Sequence, residues 1–169
     1  MKRIIVWLSF FLYLIIGCTS TSNDKLVLAE KNGLFGYVSL LKRDTVIPCI
    51  YPNSYTDTIE NIGFVGEENG EILCINNKGK KLFNVFPFDN GPDYPHEGLF
   101  RIVDDYGLIG FADTLGRVVI PPKYKFAFPF KEQKAKVTDE GYNVSEGEHS
   151  MWKSSSWFYI ENPLKKKFQ

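Results

Sequence analysis

The residues able to do chemistry are few and scattered. The chain holds two histidines, His96 and His149. His96 stands between Pro95 and Glu97. His149 follows Glu146 and Glu148, and imidazole and carboxylates can share a cation. No second histidine or cysteine stands at ligand spacing beside either, so both read as solvated loop residues and no metal site is expected. Carboxylates pair at Glu67-Glu68, Asp104-Asp105 and Asp139-Glu140. Acid–base work on a glycosidic bond needs two carboxyl groups facing each other across about 5–9.5 Å, whereas these neighbours fall in turns. Ser154-Ser155-Ser156 lies outside any Gly-x-Ser-x-Gly elbow. No glycine-rich loop leads into a helix, so nothing is built to cradle a phosphate. Twenty basic and twenty acidic residues cancel, which leaves no basic excess for nucleic acid. We therefore expect neither an enzyme nor a cofactor, and no nucleic-acid partner.

Binding is the chemistry that remains. Tyr142, His149 and Trp152 lie in a polar insertion, Asp139 to Ser155, which reads as the one long irregular segment of the chain. Irregular segments on rigid scaffolds carry much of recognition, and exposed aromatic rings can stack on sugars or grip a protein. These three are the candidate binding residues. Trp157, beyond the insertion, is expected in a strand and in the core. Cys49 and Cys74 are the cysteines left after position 18. Cys74 reads as a buried apolar residue in mid-strand, and a bond to Cys49 stays open.

The elements that must position these groups repeat. Gly33, Gly70 and Gly107 are spaced by 37 residues, as are Leu28, Val65 and Ile102, then Phe35, Ile72 and Ile109, then Tyr37, Cys74 and Phe111. Pro48 and Pro121 lie 73 apart, as do Tyr51 and Tyr124. The third copy is the clearest. Leu99 to Val103 alternates as a strand, Asp104-Asp105-Tyr106-Gly107 turns, Leu108 to Asp113 is a second strand, and Arg117 to Ile120 a third. Pro121 and Pro122 are expected to end it, since proline donates nothing to a ladder. Copies near 25–60, 61–96, 97–131 and 132–162 follow, the third strand of the fourth being missing or replaced by the tail. The composition agrees, with fourteen Phe and nine Tyr, residues that favour pleated surfaces. The expectation is an all-β fold. Three-stranded antiparallel meanders of about 37-residue period would stack as a repeat array, because a single meander cannot bury its apolar face alone.

Gly110-Phe111-Ala112-Asp113, then Gly116, then Val118-Val119-Ile120-Pro121-Pro122-Lys123-Tyr124 and Phe128-Pro129-Phe130, resembles the WG (tryptophan-glycine) repeat. Glu97-Gly98-Leu99 matches its lead-in. The resemblance is close in copy three and loose over the rest of 26–162. The dipeptide itself is absent: its tryptophan position holds Phe35, Ile72, Ile109 and Trp157, and its glycine position Gly36, Leu73, Gly110 and Phe158. The resemblance implies tandem β meanders, often in secreted or lipid-anchored bacterial proteins, and implies no activity.

The N-terminus reads as an export signal. Lys2 and Arg3 precede thirteen residues, Ile4 to Ile16, broken only by Ser9. A membrane-spanning helix needs roughly 20 apolar residues, so the run suits a signal peptide over 1–17, in helical form, better than a span. It ends in Leu14-Ile15-Ile16-Gly17-Cys18, which resembles a lipobox. That resemblance implies lipidation at Cys18, a polar tether over 18–24 and a β domain over 25–169. Thr19 after the cysteine resembles lipoproteins sent to an outer membrane, with the face left open. Lys165-Lys166-Lys167 blunts a terminal strand edge or forms a basic tail. The expected function is that of a non-enzymatic binding or scaffold lipoprotein of the bacterial cell envelope. It would be held to the membrane by its lipid and would recognise an envelope protein or glycan. The alternatives are a hydrolase, or its accessory subunit, acting on envelope glycans through residues such as Asp104 or Asp139, and an immunity-type lipoprotein with a dedicated partner.

Overall fold

The computed structural model describes residues 24–146 and 149–165, apart from the side chains of Glu146 and His149. The expected signal helix, Cys18 and most of the lysine run lie outside the described residues. Every regular element among those described is a strand.

Three successive meanders form units one to three. Unit one is β1 (Leu26–Lys31), β2 (Leu34–Ser39) and β3 (Thr45–Tyr51). Unit two is β6 (Ile62–Gly66), β7 (Ile72–Asn76) and β8 (Lys81–Val85). Unit three is β11 (Leu99–Val103), β12 (Ile109–Asp113) and β13 (Val118–Tyr124). Short strands occupy the connections: β4 (Asn53–Ser54), β5 (Thr58–Ile59), β9 (Pro87–Phe88), β10 (Gly91–Pro92) and β14 (Phe126–Ala127). Unit four has β15 (Lys134–Thr138) and β18 (Phe158–Glu161). Between them come β16 (Tyr142–Glu146) and β17 (His149–Lys153).

Equivalent glycines adopt equivalent backbones. Gly33, Gly70 and Gly107 have φ of 78°, 84° and 75°, left-handed values that glycine takes without steric cost. Asn32 joins Gly33 at φ 56°, and Lys31 faces Leu34. That is the two-residue turn whose twist suits a hairpin and which Asn-Gly favours.

The units lean on one another through three cores. Tyr37, Ile47 and Leu26 of unit one meet Val65, Leu73 and Ile75 of unit two. Phe64, Ile72 and Cys74 of unit two meet Phe100, Ile102 and Ala112 of unit three. Leu99, Ile109 and Phe111 of unit three meet Ala135 and Val137 of unit four. Tyr37, Cys74 and Phe111 occupy the same place in successive units, are all fully buried, and all point to the core shared with the following unit. The sequence implied one apolar face per meander. The inner units instead bury both faces, since Leu73 and Ile75 of β7 serve one core while Ile72 and Cys74 serve the next. Side chains alternate across a strand, so a unit stacked on both sides must be apolar at every position, as Ile72 to Ile75 are. Units two and three also share one seven-stranded sheet, joined where Ile102 faces Val85 and Val103 faces Asn84.

Two expectations need correction. Pro121 and Pro122 do not end the third strand, because β13 runs through both, as β3 runs through Pro48. Both strands are sheet edges, where a missing N–H interrupts no further ladder. Each also bulges there. Tyr37 faces Ile47 but Phe35 faces Tyr51, and Phe111 faces Ile120 but Ile109 faces Tyr124, so the edge strand carries surplus residues across one step of its partner. The second correction concerns 139–155. It is mainly the antiparallel hairpin β16–β17, with Tyr142 opposite Lys153 and Asn143 opposite Trp152, and not an irregular loop.

The bulges account for the repeat's glycine. A Cβ on Gly36 would sit 2.5 Å from the Ile47 carbonyl oxygen, and one on Gly110 would sit 2.4 Å from that of Ile120. Unit two pairs Ile72, Leu73 and Cys74 with Val85, Asn84 and Phe83 without a bulge at that step, so Leu73 keeps its side chain.

Candidate functional site

A run of exposed and half-exposed aromatic rings is built where the hairpin folds beside the connections that follow units two and three. β14 and the residues behind it present Phe126 and Phe128. The connection after β8 presents Phe86 and Phe88. The hairpin lays Trp152 on Phe126, with ring centroids 5.5 Å apart and planes 17° from parallel. Trp157 closes the group, 5.5 Å from Phe128 and 6.3 Å from Phe126. Offset or edge-on pairs of this kind add to the area they bury. Phe88 and Phe128 remain exposed.

A buried ion pair holds the two walls together. Arg101, in the middle of β11, donates from Nε and Nη2 to Asp93 at 3.0 and 2.6 Å, and its backbone N–H donates to the same carboxylate at 2.8 Å. Its Nη1 donates to the Ala127 carbonyl of β14 at 3.0 Å. The guanidinium lies 4.3 Å from the Phe86 ring centroid and 5.5 Å from that of Phe88. One side chain therefore fixes the Phe86–Phe88 wall through stacking and the Phe126–Phe128 wall through a carbonyl. Both charged groups are almost wholly buried, which is tolerable only with this degree of hydrogen bonding.

The hairpin is held with equal care. Trp152 Nε1–H donates to the Glu140 carbonyl at 3.1 Å. A Cβ on Gly141 would lie 2.5 Å from that same nitrogen, and Gly141 has φ 116°, so only glycine lets the indole lie across the hairpin's base. The buried Thr138 hydroxyl has the carbonyls of Glu140 and Ser156 within reach of its one proton, at 3.1 and 2.9 Å, and pairs with the Ser154 hydroxyl at 2.8 Å.

Three clefts follow from this arrangement. One of about 720 Å³ lies between Phe86, Phe88, Phe126 and Phe128 and the hairpin residues Asn143, Met151 and Trp152. A second, about 650 Å³, lies on the hairpin's other flank, among Tyr142, Trp152, Lys153 and Trp157. The third, about 730 Å³, runs from Phe128 and Pro129 past Lys131, Lys134 and Lys136 to Tyr159. Trp152 is common to the first two, and Phe128 and Pro129 to the first and third.

Of the sequence candidates, Tyr142 and Trp152 come together on this surface. His149 pairs with Glu146 at the far end of the hairpin. Trp157 is half-buried beside Trp152 and just outside β18, where a core position was expected. Arg101, Asp93 and the four phenylalanines were missed. The available signal was a lone arginine inside the apolar strand Leu99-Phe100-Arg101-Ile102-Val103, a charge that needs a buried partner.

One of the carboxylates singled out for acid–base work is occupied by its own turn. Asp104 accepts from the N–H groups of Tyr106 and Leu108, and Asn69 does the same job for Glu71 in the Glu67-Glu68 turn. Among the described residues no three His, Cys, Asp or Glu side chains stand close enough to hold a metal ion. Cys49 and Cys74 are both free thiols. Burial pushes the Cys74 thiol up to about 12.

Residues 109–142 match a protein-family model described as "WG containing repeat". The matched stretch runs from β12 through the bulged β13, β14 and β15 to the first residue of the hairpin, about a fifth of the chain. No curated protein and no solved structure matches the chain.

Proposed function

We propose that the domain is a non-enzymatic binding module, tethered to a bacterial envelope membrane through a lipid on Cys18, and that its site is the aromatic belt around Trp152. The belt carries the reading. A folded chain that leaves Phe88 and Phe128 exposed in one cleft and Tyr142 exposed in the next, with the half-exposed Trp152 lining both, keeps a surface that water disfavours. Contiguous apolar patches rimmed by polar groups mark interaction sites, and Trp and Tyr are enriched where binding energy concentrates. The buried Arg101–Asp93 pair supports the same reading, because it spends a desolvated charge on holding both walls in place. The lipid anchor rests on the sequence from Lys2 to Cys18. An outer-membrane address rests on Thr19.

Two arms test the proposal. The full chain should partition with membranes, and Cys18→Ala should release it or block its processing. Against envelope proteins and a glycan array, the full chain should retain a ligand that Trp152→Ala loses by at least about tenfold, the order of loss expected of a central aromatic contact. Retention of every ligand by Trp152→Ala would refute the placement of the site.

A further inference from the structure

We infer that the belt takes an acidic glycan, a chain of sugar rings bearing carboxylate or phosphate groups; this rests on the binding reading above and names its ligand class. Shape comes first. The cleft between the phenylalanine walls shares Trp152 with the cleft on the hairpin's other flank and Phe128 with the lysine-lined cleft, so the three follow one another as a strip that suits an extended polymer. The walls are flat ring faces interrupted by hydroxyl and amide groups, with Ser154 and Ser155 in one cleft and Asn143 and Ser150 in the next. A pyranose has the matching character, with an apolar C–H face and a polar edge, as aromatic side chains with polar tips do at wet interfaces.

Charge then selects among glycans. The chain as a whole is neutral, but its charges are segregated. Residues 53–71 carry five acidic side chains, Asp57, Glu60, Glu67, Glu68 and Glu71, and no basic one. The cleft at that end is lined by Glu67 and Glu68 beside Tyr51. Residues 123–138 carry Lys123, Lys125, Lys131, Lys134 and Lys136 against Glu132 alone, and all of these lysines but Lys123 line two of the strip's clefts. Of the strip's lysines, Lys134 is paired with Glu161 at 3.5 Å. Lys125, Lys136 and Lys153 have no carboxylate within ion-pair distance among the described residues. Lys136 Nζ sits 4.8 Å from the Trp157 ring centroid, which puts a cation directly beside a stacking platform. The strip's own acids are fewer, and Glu140 is engaged by the Ser155 hydroxyl at 2.8 Å. A cleft lined by one sign of charge with low-dielectric walls concentrates the opposite sign. An acidic peptide would meet the same lysines but would leave the repeated ring faces without flat partners.

The test uses the full chain in detergent with three probes of matched length: hexagalacturonate, cellohexaose and hexaglutamate. Binding is followed by tryptophan fluorescence and calorimetry. Hexagalacturonate should bind best, and its affinity should fall as salt rises, because exposed charges are screened within about 8 Å at physiological ionic strength. Lys125→Glu with Lys136→Glu should weaken it by about tenfold or more, and should weaken any cellohexaose binding by far less. Lys125→Gln, a milder change at a surface lysine, should give a smaller loss in the same direction. Equal binding of cellohexaose and hexagalacturonate overturns the acidic preference while leaving a binding module. Tighter hexaglutamate binding overturns the glycan and points to a peptide. No binding of any probe overturns the inference, and if no envelope protein is retained either, the proposed function falls with it.

Discussion

Adding one methyl group at Gly110 should cost far more than the group's size suggests. The Cβ of Gly110→Ala would lie 2.4 Å from the Ile120 carbonyl oxygen, 2.5 Å from the Pro122 nitrogen and 2.8 Å from the Pro121 carbonyl carbon. None of these belongs to a side chain that can rotate aside. They form the bulged backbone of β13, and two consecutive prolines fix its φ. Overpacking a core typically costs 1–3 kcal/mol when side chains can adjust. Here the backbone must move, so we expect about 3 kcal/mol, or a fall in Tm of roughly 6–12 °C at about 2–4 °C per kcal/mol. Gly70→Ala is the control. It also sits at positive φ, 84°, but a Cβ there meets nothing within 4 Å, so it carries only the left-handed penalty of about 1–2 kcal/mol. Urea unfolding followed by circular dichroism would rank the two. The account of the repeat glycine fails if Gly110→Ala stays within about 0.5 kcal/mol of the parent chain, or if Gly70→Ala is the more damaging.

Asp93→Ala should destabilise by about 3–5 kcal/mol, because it strands the Arg101 guanidinium in the interior; a loss below about 1 kcal/mol in urea unfolding would show that the pair is not needed. Cys74 should resist iodoacetamide in the folded chain at pH 8, since its thiol is buried and pushed up to about 12, and should react after unfolding in urea. Rapid native labelling would contradict its place in the core. Asp113 tests the electrostatics. Burial raises its pKa, but hydrogen bonds from the Arg117 backbone and guanidinium and from the Leu115 N–H, with the Arg117 charge, outweigh that and hold it below the usual carboxylate range. A depressed folded pKa contributes stability above the unfolded value, near 3.9, that is lost as pH falls through the folded one. Asp113→Asn should therefore be less stable than the parent at pH 6 and lose part of that gap below about pH 4. An unchanged gap between pH 6 and pH 2 would refute the assignment.

The meanders were legible because turn chemistry is local. Asn32-Gly33 and Asp104-Asp105-Tyr106-Gly107 announce hairpins in a few residues, and the strands they join, Leu34–Ser39 and Leu99–Val103, fall where expected. What stayed hidden depends on contacts far apart in the chain. The path of β13 through Pro121 and Pro122 is possible only because no strand lies beyond it, and edge status is a property of the assembled sheet. The ion pair joins Asp93 to Arg101 and Arg101 to Ala127, so its meaning appears only when units three and four meet. The hairpin β16–β17 is a different case. Tyr142-Asn143-Val144-Ser145 alternates apolar with polar, which is a strand signal, but the density of Ser, Glu and Lys in the segment outweighed it.

The aromatic belt lies at unit four for a physical reason. An inner unit must offer apolar residues on both faces of its strands and receives neighbours on both, so little of it is free. Among the described residues unit four receives one neighbour. Its second strand, β18, places Phe158 where units one and three have glycine, and a bulged proline strand lying as close as β13 lies to Gly110 would collide with any Cβ there. Among the described residues no third strand follows β18, and its bulged form is excluded. Phe158 and Tyr159 stay exposed as a result, and Trp157 is only half covered. The hairpin, inserted between β15 and β18, lays Trp152 over Phe126 and covers part of that surface without sealing it. Interrupting the array, rather than elaborating a regular unit, is what leaves aromatic rings standing at the edge of a rigid scaffold. Deleting 142–153 while keeping the strands should therefore preserve the cooperative unfolding of units one to three, and should abolish whatever ligand the belt holds. Loss of the whole fold on that deletion would mean that the hairpin is part of the core and not an addition to it.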